Sequence, residues 1–235
     1  VLAPSTVQEA IDLTVDAFDL AEKYRTIAVV MADGNVGQMM EPAELPPMRP
    51  VKTTYPDWSV RGAEGREHRN LSSIYINAED EEVTNYRLMK RWMEIEDAEV
   101  RFKEYYLDDA EFVVIGFGTA GRVAYSAVRA ARAEGIRVGL LRPITVNPFP
   151  QKQIAELAKT TQSFLVVEMN AGQMLQDVRL AVGDQAPVEF YGRMGGVVPF
   201  PDEILNEIRR VAHEPATSNG DPRRRWMARM QAVLS

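Results

Sequence analysis

From Glu111 onward the sequence alternates apolar runs with amphipathic ones, and this alternation limits the fold more than any other feature. EFVVIGFG, IRVGLLRP, SFLVVEMN and PVEFYGR have the near-continuous apolar content of strands buried on both faces. RVAYSAVRAARAEG, PQKQIAELAKT, MLQDVRLAV and PDEILNEIRRVA follow them with helical periodicity. Strands alternating with helices of this length need crossover connections, which are right-handed. The expected class is therefore α/β, a three-layer arrangement around a mostly parallel sheet.

The part before Glu111 is less regular. Val7, Ile11, Val15, Phe18 and Leu20 fall near helical spacing between Pro4 and Tyr24, with Ser5 and Thr6 as candidate caps and Glu9 in the first turn. TIAVVMAD then predicts a buried strand closed by Asp33-Gly34, so one helix and one strand stand at the start without the sheet they need. Residues 45–78 have the Pro, Gly and charge content of a linker, apart from a short β-like LSSIYIN. Asn77 is a candidate cap for a helix with Glu79, Asp80, Glu81 and Glu82 at its start, and the connecting helical segment is expected over 79–110. Near the C-terminus, Asp221 and Pro222 open a last helix whose arginines are expected in solvent.

Gly116, Gly118 and Gly121 have the spacing of a dinucleotide fingerprint, between a strand and a helix. The strand after them ends in Arg142 rather than an acid, so the functional form of the motif is an NADP site with Arg142 on the 2′-phosphate. The other form is a tight turn that lets helix and strand backbones approach. Further strand ends offer Glu168, Asn170 and Gln173, as partner or substrate ligands or as caps of the next helix. Arg193, Gly195 and Gly196 are candidates for an anion site or a turn. His68 and His213 lie far apart and do not suggest a triad or a metal site.

Charge and cysteine content narrow the chemistry. A net charge of -7 argues against nucleic acid or anionic lipid as partner. The apolar runs are short of the roughly 20 residues of a membrane helix. With 0 cysteines the chain ligates no iron–sulfur cluster, so redox clusters belong to other polypeptides. The first residue is Val1, and VLAPSTVQEA lacks the layout of a signal peptide, so a mature product or an excised cytoplasmic piece is expected.

The blocks EGIRVGLLRPITVNPFP, FLVVEMNAGQMLQDVRLAV and FYGRMGG with PDEIL, together with the leading STVQEAIDLTVDAFDLAEKYRTIAVVMADGNVGQMMEP, resemble the alpha subunit of the 2-oxoacid:ferredoxin oxidoreductases, most closely the 2-oxoisovalerate type. The resemblance implies that residues 1–44 are the end of a pyrimidine-binding domain. It also implies that 111–213 is a unit like the transketolase C-terminal domain, with 214–235 a helical extension. Thiamine diphosphate with Mg would be shared with another subunit, and iron–sulfur clusters would sit on partner chains of the beta, gamma and delta type. A 2-oxoacid, coenzyme A and ferredoxin would be handled by the complex. Within this chain, Asp33, Asn35 and Gln38 are the candidates for facing the cofactor cleft, no catalytic residue is assigned, and the chain alone is expected to be inert.

Overall fold

The computed structural model describes residues 1–48, 50, 53–214 and 220–234. The first helix, α1 (Val7–Tyr24), starts later than Pro4 because Ser5 and Thr6 are occupied as caps. Thr6 Oγ1 accepts from Glu9 N at 3.1 Å, and Glu9 in turn accepts from Ser5 N and Ser5 Oγ, each at 2.9 Å. Leu13 and Ala17 of this helix are buried with Leu2, and Leu20, Ala28, Val30 and Ile144 pack against them.

The predicted buried strand TIAVVMAD is corrected by the structure. It makes only a bridge between Leu2 and Val30. Ala28 and Val30 face the small core, but Ile27 is 87% exposed and Val29 and Met31 also lie open. The reason is that a run with β propensity becomes a buried strand only when a sheet covers both faces, and the described residues supply one side. Asp33 then caps a short helix, α2 (Gly34–Gln38).

No strand forms over LSSIYIN, where Ile74 and Ile76 are exposed. Part of the linker expectation, residues 49, 51 and 52, lies outside the described residues. Helix α3 (Ala78–Ala98) begins after Asn77, whose amide binds the Asp80 carboxylate at 3.2 Å instead of capping a backbone N–H. It does not run on to residue 110. Ile144 N and Thr145 N both donate to Arg101 O, and Arg101 N donates to Thr145 Oγ1, which draws the backbone out of the helix. The chain then forms an edge strand, β1 (Phe102–Tyr105).

The regular alternation follows as predicted: β2 (Phe112–Ile115), α4 (Gly118–Ala133), β3 (Val138–Pro143), α5 (Gln151–Ala158), β4 (Ser163–Glu168), α6 (Met174–Val182), β5 (Val188–Gly192), α7 (Pro201–His213) and α8 (Pro222–Leu234). The sheet order is β1-β3-β2-β4-β5, parallel except for the antiparallel β1–β3 pair. Every residue of β2, β3, β4 and β5 is buried, as strands covered on both faces must be. Helix α4 packs with α7, and α5 packs with α6. Phe164, Phe190, Leu140, Leu141 and Ile154 fill the core, each contributing about 1.5–3 kcal/mol by leaving water.

The C-terminal arginines are a partial correction, since Arg224 is exposed as expected but Arg225 and Arg229 are half-buried against the sheet. Glu189 lies fully buried in β5; its carboxylate meets Arg225 Nε at 2.9 Å, Arg210 at 3.1 Å and Arg229 at 3.7 Å. These pairs hold α8 against the sheet while Trp226 packs edge-on to Phe190 at 5.2 Å. Of the expected extension over 214–235, residues 215–219 and 235 lie outside the described residues.

Candidate functional site

The chain leaves β2 and returns through β3 on one side of it and β4 on the other, so the carboxyl ends of β2 and β4 mark the point where strand order reverses. Open α/β sheets bind ligands in that crevice, and here the glycine turn sits in it. A Cβ on Gly121 would stand 2.4 Å from Gly116 O and 2.9 Å from Arg142 Cγ; one on Gly116 would stand 3.2 Å from Val167 O. The glycines thus allow contact between backbones.

The turn does carry an anion, from the chain itself. Phe117 occupies the cap position of α4 and has no side-chain acceptor to offer. Asp33 supplies it: Thr119 N donates to Asp33 Oδ2 at 3.1 Å and Thr119 Oγ1 to Asp33 Oδ1 at 2.8 Å. Gly118, at φ 54°, leaves room for this carboxylate, which would lie 3.2 Å from a Cβ there. The seat where a pyrophosphate would lie is therefore filled by an aspartate from the first segment.

Arg142 does not fit the NADP form of the motif either. Its side chain is 3% exposed and its guanidinium meets Glu9 Oε1 at 2.6 Å. Glu9 also receives Lys103 Nζ at 2.7 Å in addition to the two bonds from Ser5. Burial raises the Glu9 carboxyl, but the hydrogen bond from Lys103, the charge of Arg142 and the Ser5 donors outweigh it and bring the carboxyl down to about 2. The reading of Gly116, Gly118, Gly121 and Arg142 as a packing turn is the one that agrees with this geometry.

Other polar ties close the same seam. Arg122 of α4 binds Glu41 at 2.5 Å, and the other Glu41 oxygen accepts from Val7 N at 3.1 Å. Glu99 accepts from Lys23 at 2.8 Å, from Tyr24 Oη at 2.6 Å and from Arg101 at 3.2 Å. Burial works to raise the Glu99 carboxyl, and these three donors together lower it below the ordinary value.

At the end of β4, Glu168 is buried and accepts from Met174 N at 3.0 Å and Leu175 N at 2.9 Å. Burial pushes its carboxyl up against those two donors. Asn170 Oδ1 accepts from Gly172 N at 2.8 Å and Gln173 N at 3.0 Å. Glu168 thus caps the first N–H groups of α6, Asn170 orders the turn just before it, and of the three only Gln173 is exposed. Arg193 is directed to Glu203 at 2.5 Å, so its charge is neutralised, while Gly195 and Gly196 take positive φ in an exposed turn.

Of the cleft candidates, Asp33 accepts four hydrogen bonds, from Asn35 N, Val36 N and Thr119 Oγ1 on Oδ1 and from Thr119 N on Oδ2. Asn35 and Gln38 are exposed. Sequence reading missed Thr119, Glu9, Arg122 and Glu99; Asp33 and Thr119 lie 86 residues apart and Glu9 and Arg142 lie 133 apart, so no local pattern signals these pairs. Among the described residues no cluster of three His, Asp or Glu is placed to hold a metal, and no helix is long and apolar enough to cross a membrane.

Comparison with known proteins covers both halves of this arrangement. Residues 1–107 match the family described as pyruvate flavodoxin/ferredoxin oxidoreductase, thiamine diphosphate-binding, and residues 110–204 match pyruvate:ferredoxin oxidoreductase core domain II. Ketoisovalerate oxidoreductase subunit VorB of Methanothermobacter thermautotrophicus is 46% identical over 212 residues, covering 90% of this chain and 60% of that protein. The VorB subunit of Methanothermobacter marburgensis is 44% identical over 214 residues, covering 91% and 60%. The 2-oxoglutarate synthase subunit KorA of the latter organism is 35% identical over 234 residues, covering 88% and 62%. The chain thus spans about three fifths of the length of these relatives. In fold it is similar to the 2-oxoglutarate:ferredoxin oxidoreductase of Magnetococcus marinus, with a TM-score of 0.71 at 19% identity over 89% of this chain and 41% of that one. With two adjoining family matches that meet between Leu107 and Ala110, the chain belongs to the alpha subunits of the 2-oxoacid:ferredoxin oxidoreductases.

Proposed function

We propose that this chain works as part of a thiamine diphosphate-dependent enzyme complex that converts a branched-chain 2-oxoacid of the 2-oxoisovalerate class to its acyl-coenzyme A, with release of carbon dioxide and reduction of ferredoxin. The observation that carries this reading is the identity of 44–46% to two ketoisovalerate oxidoreductase subunits, against 35% to a 2-oxoglutarate synthase subunit. In this reading residues 1–44 close the pyrimidine-binding domain, and the α/β unit is a framework domain of the transketolase C-terminal kind. The complex is cytoplasmic, and its beta-, gamma- and delta-type subunits carry the iron–sulfur clusters and bind ferredoxin and coenzyme A.

The residues present fit one wall of a cofactor site. Gly34 and Gly37 have nothing within 4 Å of a Cβ position, so the loop is open, and Asn35 and Gln38 present exposed amides. Amides both donate and accept, which suits the aminopyrimidine end of thiamine diphosphate. In this reading the diphosphate end and its Mg are held by another subunit. When bound, the cofactor would supply a carbon nucleophile and an electron sink for decarboxylation. The chain's own part is to orient the loop and to hold the α/β unit behind it.

The test is anaerobic assay of the intact complex with 2-oxoisovalerate, 2-oxoglutarate and pyruvate, each with and without coenzyme A. The expected result is coenzyme A-dependent ferredoxin reduction with kcat/KM at least about tenfold higher for 2-oxoisovalerate, the scale of discrimination an apolar pocket provides. Equal rates with 2-oxoglutarate would reject the substrate class, and no reduction with any 2-oxoacid would reject the activity.

A further inference from the structure

The Gly34–Gln38 loop is a weak structure on its own. Five residues are too few for a stable helix, two of them are glycines with a large entropy to lose, and only Val36 is buried. What orders it comes from the other side of the seam. Thr119 Oγ1 donates to Asp33 Oδ1 at 2.8 Å and accepts from Asn35 Nδ2 at 3.3 Å, so one hydroxyl fixes both the cap of the loop and the direction of its exposed amide. Thr119 itself is 0% exposed and cannot touch a ligand.

We infer that Asp33 and Thr119 are a positioning pair, by which the first turn of α4 sets the Asn35 amide for the cofactor. This rests on the proposal that the loop faces thiamine diphosphate. The glycine turn then has a role beyond close packing. Gly118 gives the Asp33 carboxylate access to Thr119 N, so the α/β unit transmits order to the loop through one buried threonine.

The experiment is titration of thiamine diphosphate with Mg into the cofactor-stripped intact complex, followed by calorimetry, together with the melting temperature of each variant. Thr119→Val keeps the shape and removes the hydroxyl; affinity should fall about tenfold, the factor expected when the competent loop becomes a minor population. Thr119→Ser should bind within about twofold of the natural protein, because the hydroxyl returns. Asn35→Ala should weaken binding as much as Thr119→Val, and the double variant no further, since both act through one amide. Should Thr119→Val not fold, Asp33→Asn, which loses an acceptor facing Thr119 N, decides in its place by the same tenfold criterion.

Unchanged affinity in Thr119→Val with weakened affinity in Asn35→Ala overturns the positioning role and leaves the cofactor-facing reading intact. Unchanged affinity in both Asn35→Ala and Gln38→Ala overturns the cofactor-facing reading, and the inference falls with it.

Discussion

Gly121→Ala is expected to destabilise the protein by about 3 kcal/mol or more, read as a lower urea midpoint at unchanged m-value. The added methyl would stand 2.4 Å from Gly116 O and 2.9 Å from Gly116 C and Arg142 Cγ. Two of these neighbours are backbone. The third belongs to a side chain pinned by Glu9 at 2.6 Å, so relief requires α4 to move off β2. Gly37→Ala, where nothing lies within 4 Å, is the control and should cost about 1 kcal/mol or less. A Gly121→Ala protein as stable as the natural one would mean that the turn is not the close backbone contact described above.

Glu9→Gln is expected to cost about 3–4 kcal/mol, because it leaves the buried Arg142 guanidinium with no counter-charge. The same carboxyl sets an acid limit. Its pKa falls from 4.5 to about 2 in the folded chain, despite burial that acts to raise it, through the Lys103 hydrogen bond, the Arg142 charge and the Ser5 donors. A depressed carboxyl contributes its stability in full above about pH 4.5 and loses it as pH falls toward 2; the difference is on the order of 3 kcal/mol. Denaturant midpoints between pH 5 and 2 should drop steeply in the natural protein and less so in Glu9→Gln. Parallel slopes would remove Glu9 from the account. Replacing both partners, Glu9→Leu with Arg142→Leu, should recover part of the loss, as apolar pairs do when they replace buried ion pairs.

The alternation of strands and helices after Glu111 was readable because each element carries its own period and its own punctuation. β1 was not, since Phe102–Tyr105 is a short edge strand of mixed polarity that pairs antiparallel to β3, and contacts with the distant Ile144 and Thr145 draw the chain out of the preceding helix. TIAVVMAD misled for the opposite reason: its composition is that of a buried strand, but burial needs neighbours that the described residues do not provide. The glycine spacing was visible, yet its meaning depended on what fills the turn. Asp33 does so from 86 residues away in the chain. Glu168 was legible as a cap because its partners lie within a few residues.

The α4 turn holds an internal aspartate where a dinucleotide would sit. Side-by-side calorimetric titration of NADP and of thiamine diphosphate with Mg into the cofactor-stripped native complex tests it most directly. The expected result is saturable thiamine diphosphate binding and no heat from NADP up to millimolar concentration. NADP binding at micromolar concentration that is lost in Arg142→Ala, with no uptake of thiamine diphosphate, would contradict it.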